Sequence, residues 1–232
     1  GTSRIYTFYV VAALLSSAGG SLIMQRFAGL IQPTQKMTDL YSVTQLSPTE
    51  ADELRILERT RSCKNMSLVL GLTGLLFASC LGISEGLVEK SFPACIFGLV
   101  AGAGLGSLGG AGGGCLSVYV DDWVQHRVAN DLIRNMLTHT SSWIVISAAA
   151  ALAILIATRR ARFVQCLQFV ITAMSAAMIC GAIYGLVSAI LFPEVETGQP
   201  LPQGDANQIL WLLATTLMVS IAAARSRPRP AD

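Results

Sequence analysis

Six long apolar stretches divide the chain. They lie at about residues 5–24, 66–84, 92–120, 143–158, 164–192 and 208–224, and none of them contains Asp, Glu, Lys or Arg. Runs of about 18 or more apolar residues are typical of membrane-spanning helices, in which the backbone satisfies its own hydrogen bonds within lipid. The pattern therefore predicts an all-α fold: a polytopic integral membrane helical bundle with about six transmembrane helices in a single domain, residues 1–232.

The first apolar stretch allows two interpretations. Ser16 and Ala18 fit the small-x-small pattern that a signal peptidase cleaves. The apolar run continues through Ile23, however, which favours a helix that is retained as the first span. The pattern alone does not choose between the two.

Two of the polar connections also predict helices. Residues 47–64 open with a capping box, in which Ser47 caps the helix and Glu50 reaches back to it. No glycine or proline interrupts the following residues before Gly71, so this helix is expected to run directly into the second span. In residues 121–140, apolar side chains recur at every fourth position, at Val124, Val128, Leu132 and Met136. That spacing predicts a second polar helical loop with one apolar stripe.

The third apolar stretch is rich in glycine. Within residues 98–114, glycine recurs at every fourth position, at Gly98, Gly102, Gly106, Gly110 and Gly114. This row repeats the GxxxG motif and is typical of a glycine zipper, because small residues at this spacing let two membrane helices approach closely. We therefore expect this helix to pack at the centre of the bundle.

The fifth apolar stretch carries a matching row of small residues at Ala173, Ala177, Gly181, Gly185 and Ala189. We expect the second and fifth spans to press against the glycine row of the third. The alternatives for the same face are an interface between copies of the chain and a helix that lines a gated pore. The spacing indicates tight packing and does not decide among these three.

Polar side chains within the apolar stretches define a second candidate site. A solute path beside the glycine row would be lined by Ser107, Ser117, Thr172 and Ser175. Ion-coupled pumps need ionisable residues inside the membrane, and the six stretches contain no charged residue. A passive channel or transporter for a small solute is therefore the alternative function, and an energised pump is disfavoured.

Few residues are available for catalysis or metal binding. The two histidines, His126 and His139, fall outside the apolar stretches, and Ser107 lacks the first glycine of the GxSxG motif. The six cysteines form no CxxC pair. Asp122 and His126 share a helix face and are weak metal candidates, because a metal site needs three or four ligands. We expect no enzymatic activity and no cofactor.

Charge is scarce and clustered. Only 13% of the residues are charged, against about 25% in soluble domains, and the formal net charge of +2 indicates no nucleic-acid partner. Arginines cluster at 159–162 and 225–229, whereas residues 193–207 contain no Lys or Arg. By the positive-inside rule this contrast places both termini in the cytoplasm, although Lys and Arg counted over the whole chain favour neither side. The expected location is the bacterial inner membrane.

These patterns favour a non-enzymatic role. The expected function is that of a membrane scaffold or accessory subunit, which acts through close helix packing and through its outer polar helices. The expected partners are the lipid bilayer and either other membrane proteins or a second copy of the chain.

Overall fold

The computed structural model describes residues 2–43, 45–158, 163–192, 194 and 200–227. Every regular element among them is a helix: α1 (Thr2–Phe27), α2 (Gln35–Tyr41), α3 (Pro48–Val88), α4 (Phe92–Gln125), α5 (Asp131–Thr158), α6 (Phe163–Leu191) and α7 (Asp205–Ser226). All except α2 are long and apolar enough to span a membrane. The predicted all-α membrane bundle with six spans is confirmed.

The six long helices form a closed ring. Around the ring, α1 packs against α3, α3 against α4, α4 against α5, α5 against α6, α6 against α7, and α7 against α1. In addition, α3 and α5 touch across the ring. The start of α1, the α3–α4 turn and the end of α7 lie together, and we name this the tail end of the bundle. The opposite end, which carries α2, is the α2 end.

The glycine-rich helix α4 does not occupy the centre of the bundle. In the most apolar 18-residue stretch of each helix, 61% of the residues of α3 and 56% of those of α5 are buried, against 33% in α4. The expected central position of α4 is therefore wrong, and α3 and α5 hold that position. The physical reason is that glycine shortens the distance between helices without filling space, while the outer side of α4 carries exposed Val100 and Leu108.

The predicted outer helix 47–64 is confirmed as the first part of α3. The Ser47 backbone N–H donates to Glu50 Oε2 at 2.8 Å, and the Glu50 backbone N–H donates to Ser47 Oγ at 3.4 Å, which completes the capping box. The helix then continues unbroken to Val88 over 41 residues. At 1.5 Å per residue it is about 61 Å long, twice the roughly 30 Å of a hydrocarbon core.

The prediction of one helical loop over 121–140 is wrong. The first residues of this stretch complete α4, which ends at Gln125, and α5 begins at Asp131. The Asn130 side chain accepts the backbone N–H groups of Leu132 and Ile133, and in doing so starts a new helix. The fourth span is therefore much longer than the predicted 143–158. Its first three turns bring polar side chains, His139 among them, into the bundle.

Aromatic side chains fill the space where α3, α5 and α7 meet. Phe77, Trp143 and Trp211 are all fully buried. The rings of Phe77 and Trp143 meet edge to face at 6.0 Å, and those of Trp143 and Trp211 at 5.5 Å. Edge-to-face pairs add to the stabilisation that burial provides. These side chains fix the contact across the ring.

Truncation of this aromatic centre is expected to destabilise the bundle. Trp143→Ala should lower the free energy of unfolding by about 3–5 kcal/mol, because the cavity left among three helices cannot fully collapse. Trp123→Ala is the matched control, since that indole lies exposed near the end of α4. Unfolding in detergent, followed by fluorescence or circular dichroism, measures both variants. Equal losses would contradict the assigned role of Trp143.

Candidate functional site

The glycine row of α4 lies against the backbone of α3. All five of its members are buried: Gly98, Gly102, Gly106, Gly110 and Gly114. A Cβ atom at Gly102 would lie 2.5 Å from the carbonyl oxygen of Ala78, and one at Gly114 would lie 2.5 Å from that of Met66. Even alanine at these positions would therefore require α3 and α4 to move apart.

Glycines of α3 face this row. A Cβ atom at Gly74 would lie 3.1 Å from Gly110 Cα, and one at Gly82 would lie 2.8 Å from Gly98 Cα. The Ser67 hydroxyl also donates across the interface to the Ala111 carbonyl at 2.9 Å. Close approach of two helices in lipid depends on van der Waals contact and on such interhelical hydrogen bonds. Both are present here along the length of α4.

A second pair of glycines brings α5 against another side of α4. A Cβ atom at Gly113 would lie 2.6 Å from the Ser142 carbonyl oxygen, and Gly109 packs on the Cβ of Ala149. Around Gly104 and Gly112, in contrast, no atom of the described residues lies within 4 Å of such a Cβ position. This second contact was not predicted from the sequence, although the i,i+4 spacing of Gly109 and Gly113 is its signal.

The small-residue row of α6 packs against α5 instead of α4. Four of its members are buried, and Ala189 is exposed. A Cβ atom at Gly181 would lie 2.9 Å from Thr140 Cα, and one at Gly185 would lie 2.9 Å from Met136 Cγ. The expected pairing of the α4 and α6 rows is therefore corrected: α5 stands between the two helices.

The four candidate pore residues do not come together on one path. Ser107 and Ser117 belong to α4, whereas Thr172 and Ser175 belong to α6, which packs against α5 and α7. Three of the hydroxyls donate to carbonyl oxygens of their own helix: Ser107 to Gly104, Ser117 to Gly114, and Thr172 to Gln168. The Ser175 side chain lies exposed on the outside of α6.

The weak metal candidates, Asp122 and His126, are adjacent but already engaged. Asp122 accepts hydrogen bonds from Arg55 at 2.8 Å and from Arg59 at 3.2 Å. His126 Nδ1 lies 2.7 Å from the Asp122 carbonyl oxygen. Among the residues that the structure describes, no group of three or more His, Cys, Asp or Glu is placed to hold a metal ion.

A buried carboxylate lies at the tail end of the bundle. Glu85 of α3 is 0% exposed. Its Oε2 accepts the Tyr9 hydroxyl of α1 at 2.7 Å, and its Oε1 accepts Nε of Arg227, which follows α7, at 2.6 Å. Arg227 also pairs with Glu89 at 3.2 Å. The cluster therefore joins three helices and closes the ring at this end.

The expectation that the spans carry no ionisable group is thus corrected. Glu85 lies one residue beyond the apolar stretch 66–84 and therefore falls just outside the uncharged run. His139 is also buried, because α5 starts before the apolar stretch that predicted it. The only sequence signal for Glu85 is its position within the same helical turn as the end of an apolar run.

A polar and aromatic cluster joins α5, α6 and α7 toward the α2 end. The hydroxyls of Tyr184 and Ser188 both donate to Asn207 Oδ1, at 2.8 and 3.0 Å. The His139 ring meets the Tyr184 ring at 5.0 Å and the Trp211 ring at 5.4 Å, both edge to face. All five side chains are buried, and the cluster fixes the register of the three helices.

An outer platform stands at the α2 end, and we define it as residues 28–42 with residues 48–65 of α3. Lys36 pairs with Glu53, and the Tyr41 hydroxyl donates to Glu58 at 2.6 Å. That hydrogen bond to a carboxylate is the main cause that raises the pKa of Tyr41 above its usual value. Arg61 Nε donates to the Ile31 carbonyl at 2.9 Å. These contacts hold the connection from α1 against α3.

Comparison with protein-family models, with curated proteins and with solved structures found no match to this chain. Any inference about function therefore depends on three features of the structure. They are the glycine contact between α3 and α4, the buried cluster around Glu85, and the outer platform.

Insertion of a large side chain into the glycine contact is expected to destabilise the protein. Gly106→Leu should cost about 3 kcal/mol or more, because the new side chain must push two backbones apart. Gly104→Leu, on the open side of the same helix, should be neutral or gain up to about 0.8 kcal/mol in helix propensity. Thermal unfolding of both variants in detergent provides the measurement. Similar behaviour of the pair would show that the contact is unimportant.

Removal of Arg227, the ion-pair partner of the buried Glu85 carboxylate, is also expected to lower the free energy of unfolding. Arg227→Met leaves Glu85 buried with the Tyr9 hydroxyl as its remaining hydrogen-bond partner among the described residues, and loss of one member of a buried ion pair costs about 3 kcal/mol. Glu89→Gln removes only the outer, partly exposed partner and should cost less than about 1 kcal/mol. Chemical denaturation in detergent compares the two variants, and equal effects would argue against a structural role of Glu85.

Proposed function

We propose that the chain is a non-enzymatic membrane scaffold or accessory subunit, which acts through close helix packing and through its outer platform. The observation that carries this proposal is the continuity of α3, a single helix from the capping box at Ser47 to the turn that follows Glu85. Because α3 is about twice as long as a hydrocarbon core is thick, a large part of it lies outside lipid. The platform is therefore an extension of the bundle itself.

The glycine contact supports this function because it fixes the section of α3 from which the platform extends. In the proposal, the row on α4 works as a glycine zipper that couples the platform to the membrane bundle. The outer end of α4 is tied to the same section of α3 by Arg55 and Arg59, which share the carboxylate of Asp122. A partner bound at the platform would thus be held at a fixed position relative to the membrane.

Side chains fill the interior of the bundle, and this favours the scaffold function over the channel function. Phe77, Trp143 and Trp211 occupy the space between α3, α5 and α7. The buried carboxylate of Glu85, which a transporter would leave free for an ion, is held by Arg227 and Tyr9. The contact of α3 with α5 across the ring adds to this support.

We infer in addition that the tail end faces the cytoplasm of a bacterial cell, so that the platform lies on the opposite side of the inner membrane. Support comes from Arg225 and Arg227 at the tail end and from the absence of Lys and Arg in residues 193–207. The arginines at 159, 160, 162 and 229 belong to the same argument and lie outside the described residues.

Photocrosslinking from the platform tests the scaffold function. A photoreactive amino acid in place of Ile56, which is exposed on the platform, should crosslink one defined protein whose cellular level falls when this chain is deleted. The matched control is the same replacement at Leu108, which is exposed on the lipid-facing side of α4 and should give lipid adducts.

The alternative function predicts the opposite result. If the chain is a passive channel or transporter, the purified protein should carry a small solute across liposome membranes without a partner. Solute flux together with the absence of any protein adduct at Ile56 would overturn the scaffold proposal.

A further inference from the structure

We propose that the cavity between α3 and α4 at the α2 end binds the phosphate headgroup of an anionic phospholipid. The cavity has a volume of about 560 Å³ and is lined by side chains from both helices and by Arg127, just beyond α4. Two of the lining arginines, Arg55 and Arg59, belong to the outer platform, and the exposed side of α4 leads away from the cavity toward the tail end. The proposal goes beyond the scaffold function, since lipid binding at this site does not require a protein partner at the platform.

The charge of the cavity fits an anion. Arg55, Arg59 and Arg127 contribute three positive charges, and Asp122 contributes one negative charge, so the lining carries a formal charge of +2 with His126 neutral. Arg55 and Arg59 are oriented by their shared contact with Asp122, which leaves other N–H groups of each guanidinium for a further acceptor. Arginine suits phosphate because its planar fork can donate two parallel hydrogen bonds.

The depth of the cavity fits a headgroup. Tyr119 and Trp123 line it and are 51% and 53% exposed at the end of the lipid-facing side of α4. Such aromatic side chains mark the level of the headgroups in membrane proteins. The guanidinium of Arg59 lies 5.2 Å from the Tyr119 ring centre, and that of Arg127 lies 5.0 Å from the Trp123 ring centre. Cation–π contacts thus hold two of the positive charges at this level.

The surface below the cavity fits an acyl chain. The lipid-facing side of α4 carries exposed Leu108 and Leu116, and Gly104 and Gly112 alternate with them at four-residue spacing. A Cβ atom at either glycine would meet no atom of the described part of the chain within 4 Å. These glycines therefore form shallow notches along a stripe that leads up to Tyr119. A lipid whose phosphate lies among the arginines would place a chain on this stripe.

An adjoining cavity restricts where the phosphate can lie. This space of about 300 Å³ shares Arg55, Arg59 and Asp122 with the first cavity but is also lined by Glu58 and Asp121. Its formal charge is negative, so it repels a phosphate. Glu58 accepts the Tyr41 hydroxyl, and Asp121 accepts Gln125 Nε2 at 2.7 Å. We therefore assign the phosphate to the outer cavity, beside Arg127 and Trp123.

Native mass spectrometry of the full chain in detergent, titrated with defined lipids, tests the site. The wild-type protein should bind one phosphatidylglycerol with at least tenfold higher affinity than phosphatidylcholine or phosphatidylethanolamine. A basic side chain near a membrane contributes about 1 kcal/mol toward anionic lipid, which is roughly a fivefold effect. The variant R59Q/R127Q should therefore lose this preference, with at least tenfold weaker binding of phosphatidylglycerol.

Two variants control for folding and for charge. Arg127→Gln alone leaves both partners of Asp122 in place, and its expected loss is about fivefold. Lys64→Gln removes the same charge from an exposed position of α3 outside the cavity, and it should change binding by less than about twofold. Unfolding curves recorded without added lipid should superimpose for all of these proteins except the double variant, which loses one partner of Asp122.

Fluorescence gives a second readout. Brominated phosphatidylglycerol should quench the fluorescence of the exposed Trp123 and leave that of the fully buried Trp143 and Trp211 largely unaffected. Trp123→Phe should abolish the quenching.

The proposal is overturned if Lys64→Gln weakens binding of phosphatidylglycerol as much as Arg127→Gln does. It is also overturned if phosphatidylethanolamine binds as tightly as phosphatidylglycerol, or if inorganic phosphate displaces the lipid at comparable concentration, which would indicate a soluble anion as the ligand.

Discussion

Direct contact between two helix backbones determines the position of α4 relative to α3, and much of the remaining structure follows from it. In lipid there is no hydrophobic driving force for helix association, so the attraction between helices comes from van der Waals contact between closely packed atoms. The five glycines of the α4 row supply that contact on one side, and Gly109 and Gly113 supply it for α5 on another. Because α3 and α5 both pack closely against α4, these two helices also contact each other across the ring. The large aromatic side chains then fill the space between them.

Polar contacts at the two ends of the bundle provide the specificity that small residues lack. Rows of small residues recur on several helices and fit one another in many registers. The contact of Glu85 with Tyr9 and Arg227 joins α1, α3 and the end of α7 in one arrangement only. At the α2 end, Asn207 accepts two hydroxyls of α6. In an apolar solvent an unsatisfied polar group costs several kcal/mol, so such contacts select a single arrangement.

Features that depend on local spacing could be predicted from the sequence, whereas features that depend on the identity of distant partners could not. Runs of apolar residues predicted six spans, and the Ser47 capping box predicted the start of α3. The α4 row predicted its own burial and its contact with the second span, α3, but the expected contact with the fifth span, α6, was wrong, because several helices carry similar rows. The break before Asp131 was missed because an apolar stripe continued through it, although Asn130 is a good helix cap. Glu85 was missed because a charge at the edge of an apolar run resembles a surface residue until its partners are known.

The distance along the chain between Glu85 and Arg227 has a consequence for biogenesis. The two residues are separated by 142 positions, so the carboxylate is synthesised long before the guanidinium that neutralises it. During insertion, α3 therefore enters the membrane before the residue that pairs with its carboxylate exists, and the contact of Glu85 with the end of α7 can form only after α7 has been made. Arg227 thus completes this contact late in the synthesis of the chain, and a chain that terminates before it would leave Glu85 without the ion-pair partner that the described residues give it.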